Sequence, residues 1–305
     1  MRAAWGALLV GTVLLAGCAG HRSKPAAVNH RQTPSTSSQS QAVSRTDNGI
    51  HDDLNRSQDS RYKDGSDSIP GGAPPDISGL VEPVPKAEPR SLYGNKSPYT
   101  VLGNTYRVLP TARGYDERGI ASFYGNKFHG YKTSNLETYD MYAFTAASPT
   151  LPLPSYVQVT NLENGKSVVV RVNDRGPFHK NRVIDLSYVA AVKIGVWPKG
   201  TGLVEVRGID PGQPVSELPP PSVVNSGHPG IYLQIGAYSD AGNASRLAQR
   251  LRDANLGAVQ VSEIRVNGHA LQRVRVGPLA NVNRADQVSD RIENMGLPRP
   301  QVAVD

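Results

Sequence analysis

All four phenylalanines (Phe123, Phe128, Phe144 and Phe178) fall within residues 123–178. Aromatic side chains carry the largest apolar payload a core can bury. Their clustering confines the best core-forming material to a small part of a chain of 305 residues. One core running through the whole chain is therefore excluded, and several units joined by linkers are expected. The 30 Gly and 24 Pro also cluster, which marks the joints. A single cysteine, Cys18, excludes a disulfide framework and a Cys-built zinc cage. No metal and no organic cofactor is indicated. A net charge of +7 favours a polyanion or an anionic surface as partner without naming one.

Residues 1–18 read MRAAWGALLVGTVLLAGC. A positive Arg2, an apolar run too short to span a bilayer comfortably, and small residues before Cys18 make a secretory signal over residues 1–17. Leu15-Ala16-Gly17-Cys18 resembles the bacterial lipobox, in which the cysteine is lipidated. Acyl chains on Cys18 would contribute about 0.8 kcal/mol per buried CH₂ to anchoring. Ala19 after the cysteine implies sorting to the outer membrane.

Residues 18–96 are expected to form a long disordered N-terminal tether. From His21 to Asn95 the chain has no Phe or Trp and cannot bury enough apolar surface to offset its ordering entropy. A flexible segment of this length reaches roughly 45–50 Å. Residues 97–210 then carry short apolar runs. Residues 155–162 (SYVQVTNL) and 167–173 (SVVVRVN) alternate around Asn164-Gly165, a hairpin signal. Such strands predict a small β-barrel. Residues 185–195 read as one helix with Ser187 as N-cap. Residues 211–230 form a Pro-rich linker. Residues 231–305 show strand, helix, two strands around Asn267-Gly268, helix and strand, a small α+β βαββαβ domain.

Among residues able to do chemistry, Asp174 ends an apolar strand and is followed by Arg175-Gly176-Pro177-Phe178. Two readings stand level: a general acid or base at a strand end, or a turn aspartate capping its loop and paired to Arg175. His129, alone between Phe128 and Gly130, reads first as a structural group.

Residues 119–125 (GIASFYG), Phe128-His129-Gly130, Thr145-Ala146-Ala147, 151–164 (LPLPSYVQVTNLEN), 171–178 (RVNDRGPF) and 182–187 (RVIDLS) strongly resemble the rare lipoprotein A (RlpA) family. Residues 231–238 (IYLQIGAY) and 273–278 (RVRVGP) are similar to the SPOR signature. The resemblance implies a multi-domain chain: a double-psi β-barrel at 97–210, then a SPOR domain at 231–305. It also implies a lytic transglycosylase, which cleaves the MurNAc–GlcNAc β-1,4 bond of peptidoglycan strands lacking stem peptides. In that reaction the C6 hydroxyl of MurNAc attacks its own C1 and leaves a 1,6-anhydro end. The family's catalytic Asp maps onto Asp174 and its essential Glu onto Glu137. Two positions depart from the pattern. Leu136 stands where the family has Gly before that Glu, which bears on the loop carrying Glu137. Ser148 stands where it commonly has a His that assists catalysis, and serine carries no proton near neutral pH. His129, Ser148 and Arg175 are the expected supporting residues.

SPOR domains bind stripped glycan strands and gather at division sites. The alternation of the first strand puts Tyr232 and Gln234 on one face, with Arg275 on the partner strand, as expected glycan contacts. The βαββαβ order also describes RNA-binding domains. No Lys-Gly-Phe-like aromatic run is present, so nucleic acid is not an expected partner. The implied location is the periplasmic face of the outer membrane, at the septum, with amidases and division proteins as functional partners. The competing expectations are a non-catalytic, peptidoglycan-binding septal lipoprotein and a hydrolase that uses water.

Overall fold

The computed structural model describes residues 52–54, 56, 58–63, 66–71, 73–212 and 229–305. The expected signal segment, Cys18, the tether as far as residue 51 and the linker across 213–228 lie outside these residues.

Six strands close the barrel: β3 (Asp116–Tyr124), β4 (Thr145–Ala147), β5 (Ser155–Asn161), β6 (Ser167–Asp174), β7 (Arg182–Ser187) and β8 (Gly202–Gly208). Around the barrel the order is β3-β7-β4-β6-β5-β8. The β3/β7 and β4/β6 pairs are parallel and the other four are antiparallel. Val157, Val159, Val168, Val170, Val172, Ile184, Leu186, Val204 and Val206 fill the interior. Helix α1 (Gln58–Arg61) precedes the barrel strands in the chain, and helix α2 (Tyr188–Ile194) follows β7 and ends at Gly195, whose φ of 74° is left-handed. Asp185 and Leu186, expected at the start of that helix, instead belong to β7. Pairing with β3 and β4 on either side claims their backbone. Ser187 remains the N-cap residue, although its side chain makes no capping bond. The Asn164-Gly165 turn is longer than a two-residue hairpin. It spans residues 162–166, and the Asn164 side chain donates to the Ile194 carbonyl.

The expected end of the tether at residue 96 moves towards the N-terminus. Residues 66–96 run along the barrel as an irregular strap before the hairpin of β1 (Tyr99–Val101) and β2 (Asn104–Tyr106). Composition missed the strap because it is held mainly by polar bonds. Asp67 accepts from the Gly125 and Lys127 amides at 2.8 and 3.0 Å. Glu82 accepts from the Val169 amide at 2.7 Å and pairs with Lys193. Asn95 brackets Leu153, accepting from its amide and donating to its carbonyl. Ile77 and Leu80 add apolar contact with the barrel core. Strand β5 is consequently buried on both faces along most of its length, where its sequence alternation predicted one.

The C-terminal domain has β9 (Ile231–Tyr238), α3 (Ala241–Asp253), β10 (Val259–Val266), β11 (His269–Leu279), α4 (Val282–Asn294) and β12 (Gln301–Val304). Its sheet runs β10-β11-β9-β12 and is wholly antiparallel. Asn267 and Gly268 both take positive φ, 50° and 81°, as a tight hairpin requires. Asp240 and Asn281 cap the two helices through the Asn243 and Arg284 amides. Helix α4 meets the barrel: Arg182 pairs with Asp286, and Lys180 with Asp290 and Glu293, each at 2.9 Å.

Candidate active site

The site forms where β6 ends. An excursion of residues 125–144 leaves β3 and returns as β4, carrying a tight turn at 133–137. The Leu136 amide donates to the Thr133 carbonyl at 2.9 Å, and the Thr133 hydroxyl bonds Asn135 and the Glu137 carbonyl. Leu136 has φ of 68°. The departure from glycine therefore leaves the turn in place, and Leu136 itself takes the left-handed conformation that glycine adopts freely.

The turn delivers two groups to the end of β6. From Ser134, the amide and hydroxyl donate to Asp174 Oδ1 at 2.7 and 2.6 Å, and the Arg175 amide adds a third bond at 2.7 Å. Burial raises the Asp174 carboxyl above its ordinary value, and these donors pull against it without cancelling it. Glu137 is gripped by Arg171 through Nη1 at 2.6 Å and Nη2 at 2.9 Å, with Asn173 and Asn135 each donating at 2.9 Å. Burial pushes Glu137 up, but Arg171 and the two amides outweigh it and hold the group below the usual range. Glu88, from the strap, takes the other edge of the Arg171 guanidinium through two bonds of 2.9 Å. Lys86, Glu88, Glu137, Tyr156 and Arg171 line an open cleft there.

The structure thus brings Asp174 and Glu137 to one strand end, linked through a single turn. The other expected residues serve differently. The Arg175 guanidinium does not pair with the Asp174 carboxylate; only its backbone amide does. Its side chain donates to the carbonyls of Gly94, Ser148 and Leu151 and to Asn95, tying strap to barrel. Burial lowers it to about 10. Ser148 is fully buried, and its hydroxyl accepts from the Thr150 and Leu151 amides as a turn cap. His129 Nδ1 accepts from the Met141 amide at 3.2 Å and lies 3.8 Å from Asp140, so it braces the excursion.

In the C-terminal domain Tyr232 and Gln234 share a half-buried face, and Arg275 stands opposite Gln234 in register. Arg275 is only 8 % exposed. It pairs with Asp305 and lies 5.8 Å from the Tyr232 ring centre. It therefore supports the face, and Tyr232 and Gln234 present it. Sequence reasoning missed Ser134, Arg171, Asn173 and Glu88 as site residues. Arg171 and Asn173 sit inside the quoted 171–178 motif, and Ser134 lies three residues before Glu137. Glu88 carries no local signal at all.

Residues 116–207 match the family model described as lytic transglycolase, and residues 227–302 match the SPOR domain. Endolytic peptidoglycan transglycosylase RlpA of Pseudomonas aeruginosa strain UCBPP-PA14 is 40% identical over 73% of this chain and 81% of its own. The protein of that name from Vibrio cholerae is 42% identical over 77% and 86%. The crystal structure of the RlpA SPOR domain from Pseudomonas aeruginosa is 30% identical, covers 24% of this chain and 97% of its own, and has a TM-score of 0.24. The chain belongs to the RlpA family of endolytic peptidoglycan transglycosylases.

Proposed function

We propose that the protein cleaves MurNAc–GlcNAc β-1,4 bonds within peptidoglycan strands that lack stem peptides and leaves 1,6-anhydroMurNAc ends. One observation carries this reading: two carboxyls at one strand end are held in opposite electrostatic settings. Arg171 keeps Glu137 anionic, while burial shifts Asp174 towards its protonated form. The reaction needs a proton delivered to the leaving O4 and another removed from the C6 hydroxyl. Asp174 is the proton-handling group. Glu137 is a fixed negative charge facing the positive charge that develops at C1. The nucleophile is already part of the substrate, so its effective concentration is high and no water site between two carboxyls is required.

The C-terminal sheet face with Tyr232 and Gln234 holds stripped glycan, and a lipid on Cys18 tethers the protein to the periplasmic face of the outer membrane near the septum. Amidases that strip the strands act upstream. Incubating the protein with amidase-stripped sacculi and analysing the products by mass spectrometry tests the proposal. Anhydro ends are expected; reducing ends mean hydrolysis by water. Release of nothing favours a non-catalytic wall-binding protein, a reading supported by the conversion of Ser148 into a buried turn cap.

A further inference from the structure

A second acidic group outside the family motif roles lies beside Asp174. Ala147 on β4 is in register with Asp174 on one side and Asp185 on the other, and Asp185 is in register with Ser122 on β3. Residues in register on neighbouring strands share a face. Asp174, Ala147, Asp185 and Ser122 therefore form one row across four strands. Two strand spacings separate the two aspartates, about 10 Å between backbones, and along the row only the methyl of Ala147 stands between them. A Cβ built on Gly176 would lie 3.8 Å from Asp185 Oδ2 and 3.9 Å from the Ala147 Cβ, so the loop after Asp174 passes over this gap with bare backbone. The Ser122 hydroxyl fixes the other oxygen, Oδ1, at 2.5 Å.

We propose that Asp185 is a second catalytic residue of the transglycosylase site, giving a proton to the departing O4 while Asp174 takes the proton of the C6 hydroxyl. This rests on the reading of the site given above and divides its proton work between two carboxyls. The C6 oxygen bonds to C1 as the C1–O4 bond breaks, O4 leaves with the Asp185 proton, and Asp174 holds the C6 proton. Exchange with solvent then restores both groups. The settings match these roles. Asp174 Oδ1 accepts three hydrogen bonds, which favour the anion and offset part of the rise that burial causes. Among the described residues Asp185 has the single Ser122 donor, and burial pushes it up to about 6. The groups facing it are Arg182 on its own strand, His179 before it, Asp174 on β6 and Tyr124 on β3. Asp185 therefore keeps a protonated fraction near neutral pH, where an ordinary aspartate keeps almost none.

The test compares Asp185→Asn with Asp174→Asn in the full-length protein on amidase-stripped sacculi. Asparagine still accepts from Ser122, so the strand tie survives. Asp185→Asn is expected to lower kcat about a hundredfold or more, with KM within about threefold and with the limb of the pH–rate profile belonging to the acid removed. Wild-type kcat and an unchanged profile in Asp185→Asn overturn the proposal. Wild-type activity in Asp174→Asn, or no anhydro product from the unmodified protein, overturns the reading of the site instead. If Asp185→Asn fails to fold, carboxyl-resolved NMR of the unmodified protein decides. An Asp185 titration near 6 that falls in Asp174→Asn supports the proposal, and titration below about 4 in both sinks it.

Discussion

Arg171 holds Glu137 in a two-pronged grip of 2.6 and 2.9 Å while its remaining edge is occupied by a second carboxylate, Glu88. Fork-to-fork geometry fixes direction as well as charge. Glu137 is therefore placed as a stationary anion rather than as a group that gains and loses protons.

Replacing Glu137 by Gln keeps the shape and removes the charge. The expected result is a fall in kcat of about 10²–10³. Stability should drop by no more than about 1 kcal/mol, because the Glu137 side chain is 40% exposed and solvent screens the pair. Product release and thermal denaturation measured side by side check this. A large loss of stability with little loss of rate would mean that the pair only holds the fold.

The strap carries a second expectation. A fragment beginning at residue 97 loses the partners of Arg175 at Gly94 and Asn95, together with Asp67, Glu82 and Glu88. A largely buried guanidinium that loses two of its four acceptors is costly. Compared with a fragment beginning at residue 52, it should be less stable by about 3 kcal/mol or more and slower in product release. Denaturant titration of both fragments gives the difference.

Why composition hid the strap is visible in its bonds. The apolar-burial argument correctly found the barrel and the C-terminal domain, whose strands and helices announce themselves by periodicity. Residues 66–96 gain little from apolar burial and much from carboxylates aimed at barrel amides and cations, which no window of composition detects. The same holds for the site. Asp174 and Glu137 were legible through their motifs, but the pairing of Arg171 with a glutamate 83 residues earlier depends on tertiary placement alone. Asp185 was hidden by reading a strand end as the first turn of a helix.

Leu136 offers a test of strain. Its φ of 68° costs a branched L-residue about 1–2 kcal/mol relative to ordinary helical or extended backbone. Leu136→Gly removes that cost but gives the unfolded chain more freedom and loses partial burial. The net expectation is a gain of about 0.5–1 kcal/mol with kcat within about twofold. A destabilised variant would show that the Leu136 side chain contributes packing that outweighs its backbone strain.

Asp185 couples stability to pH in a definite direction. Its folded value, about 6, lies above the ordinary 3.8, so the folded state binds the proton more tightly than the unfolded state. The stabilisation linked to this proton is complete below about pH 4 and is lost as pH rises through 6. Asp185→Asn does not titrate. Its stability relative to the unmodified protein should therefore climb between pH 4 and 6.5 and then level off, by at most about 3 kcal/mol. Thermal unfolding across that range reads the climb, and a flat difference would show that the carboxyl does not carry a raised value.

The glycan face of the C-terminal domain depends on a ring resting on two bare backbones. A Cβ on Gly230 would come within 2.9 Å of the Tyr232 ring, and one on Gly277 within 2.7 Å. The ring lies close because neither residue has a side chain, and the Arg275 guanidinium supports it from 5.8 Å. Gly230 has no positive φ, so Gly230→Ala adds a methyl without straining the backbone. It should push the ring aside and weaken binding to stripped glycan about tenfold, with little change in melting temperature. Tyr232→Ala should weaken binding at least as much. Arg275→Ala should weaken binding and also lower the melting temperature, because it removes a buried side chain that supports the Tyr232 ring, together with its pair to the exposed Asp305. Pull-down on stripped sacculi combined with thermal denaturation separates these outcomes. If Gly230→Ala and Tyr232→Ala bind as tightly as the unmodified protein, the glycan lies on another face of the domain.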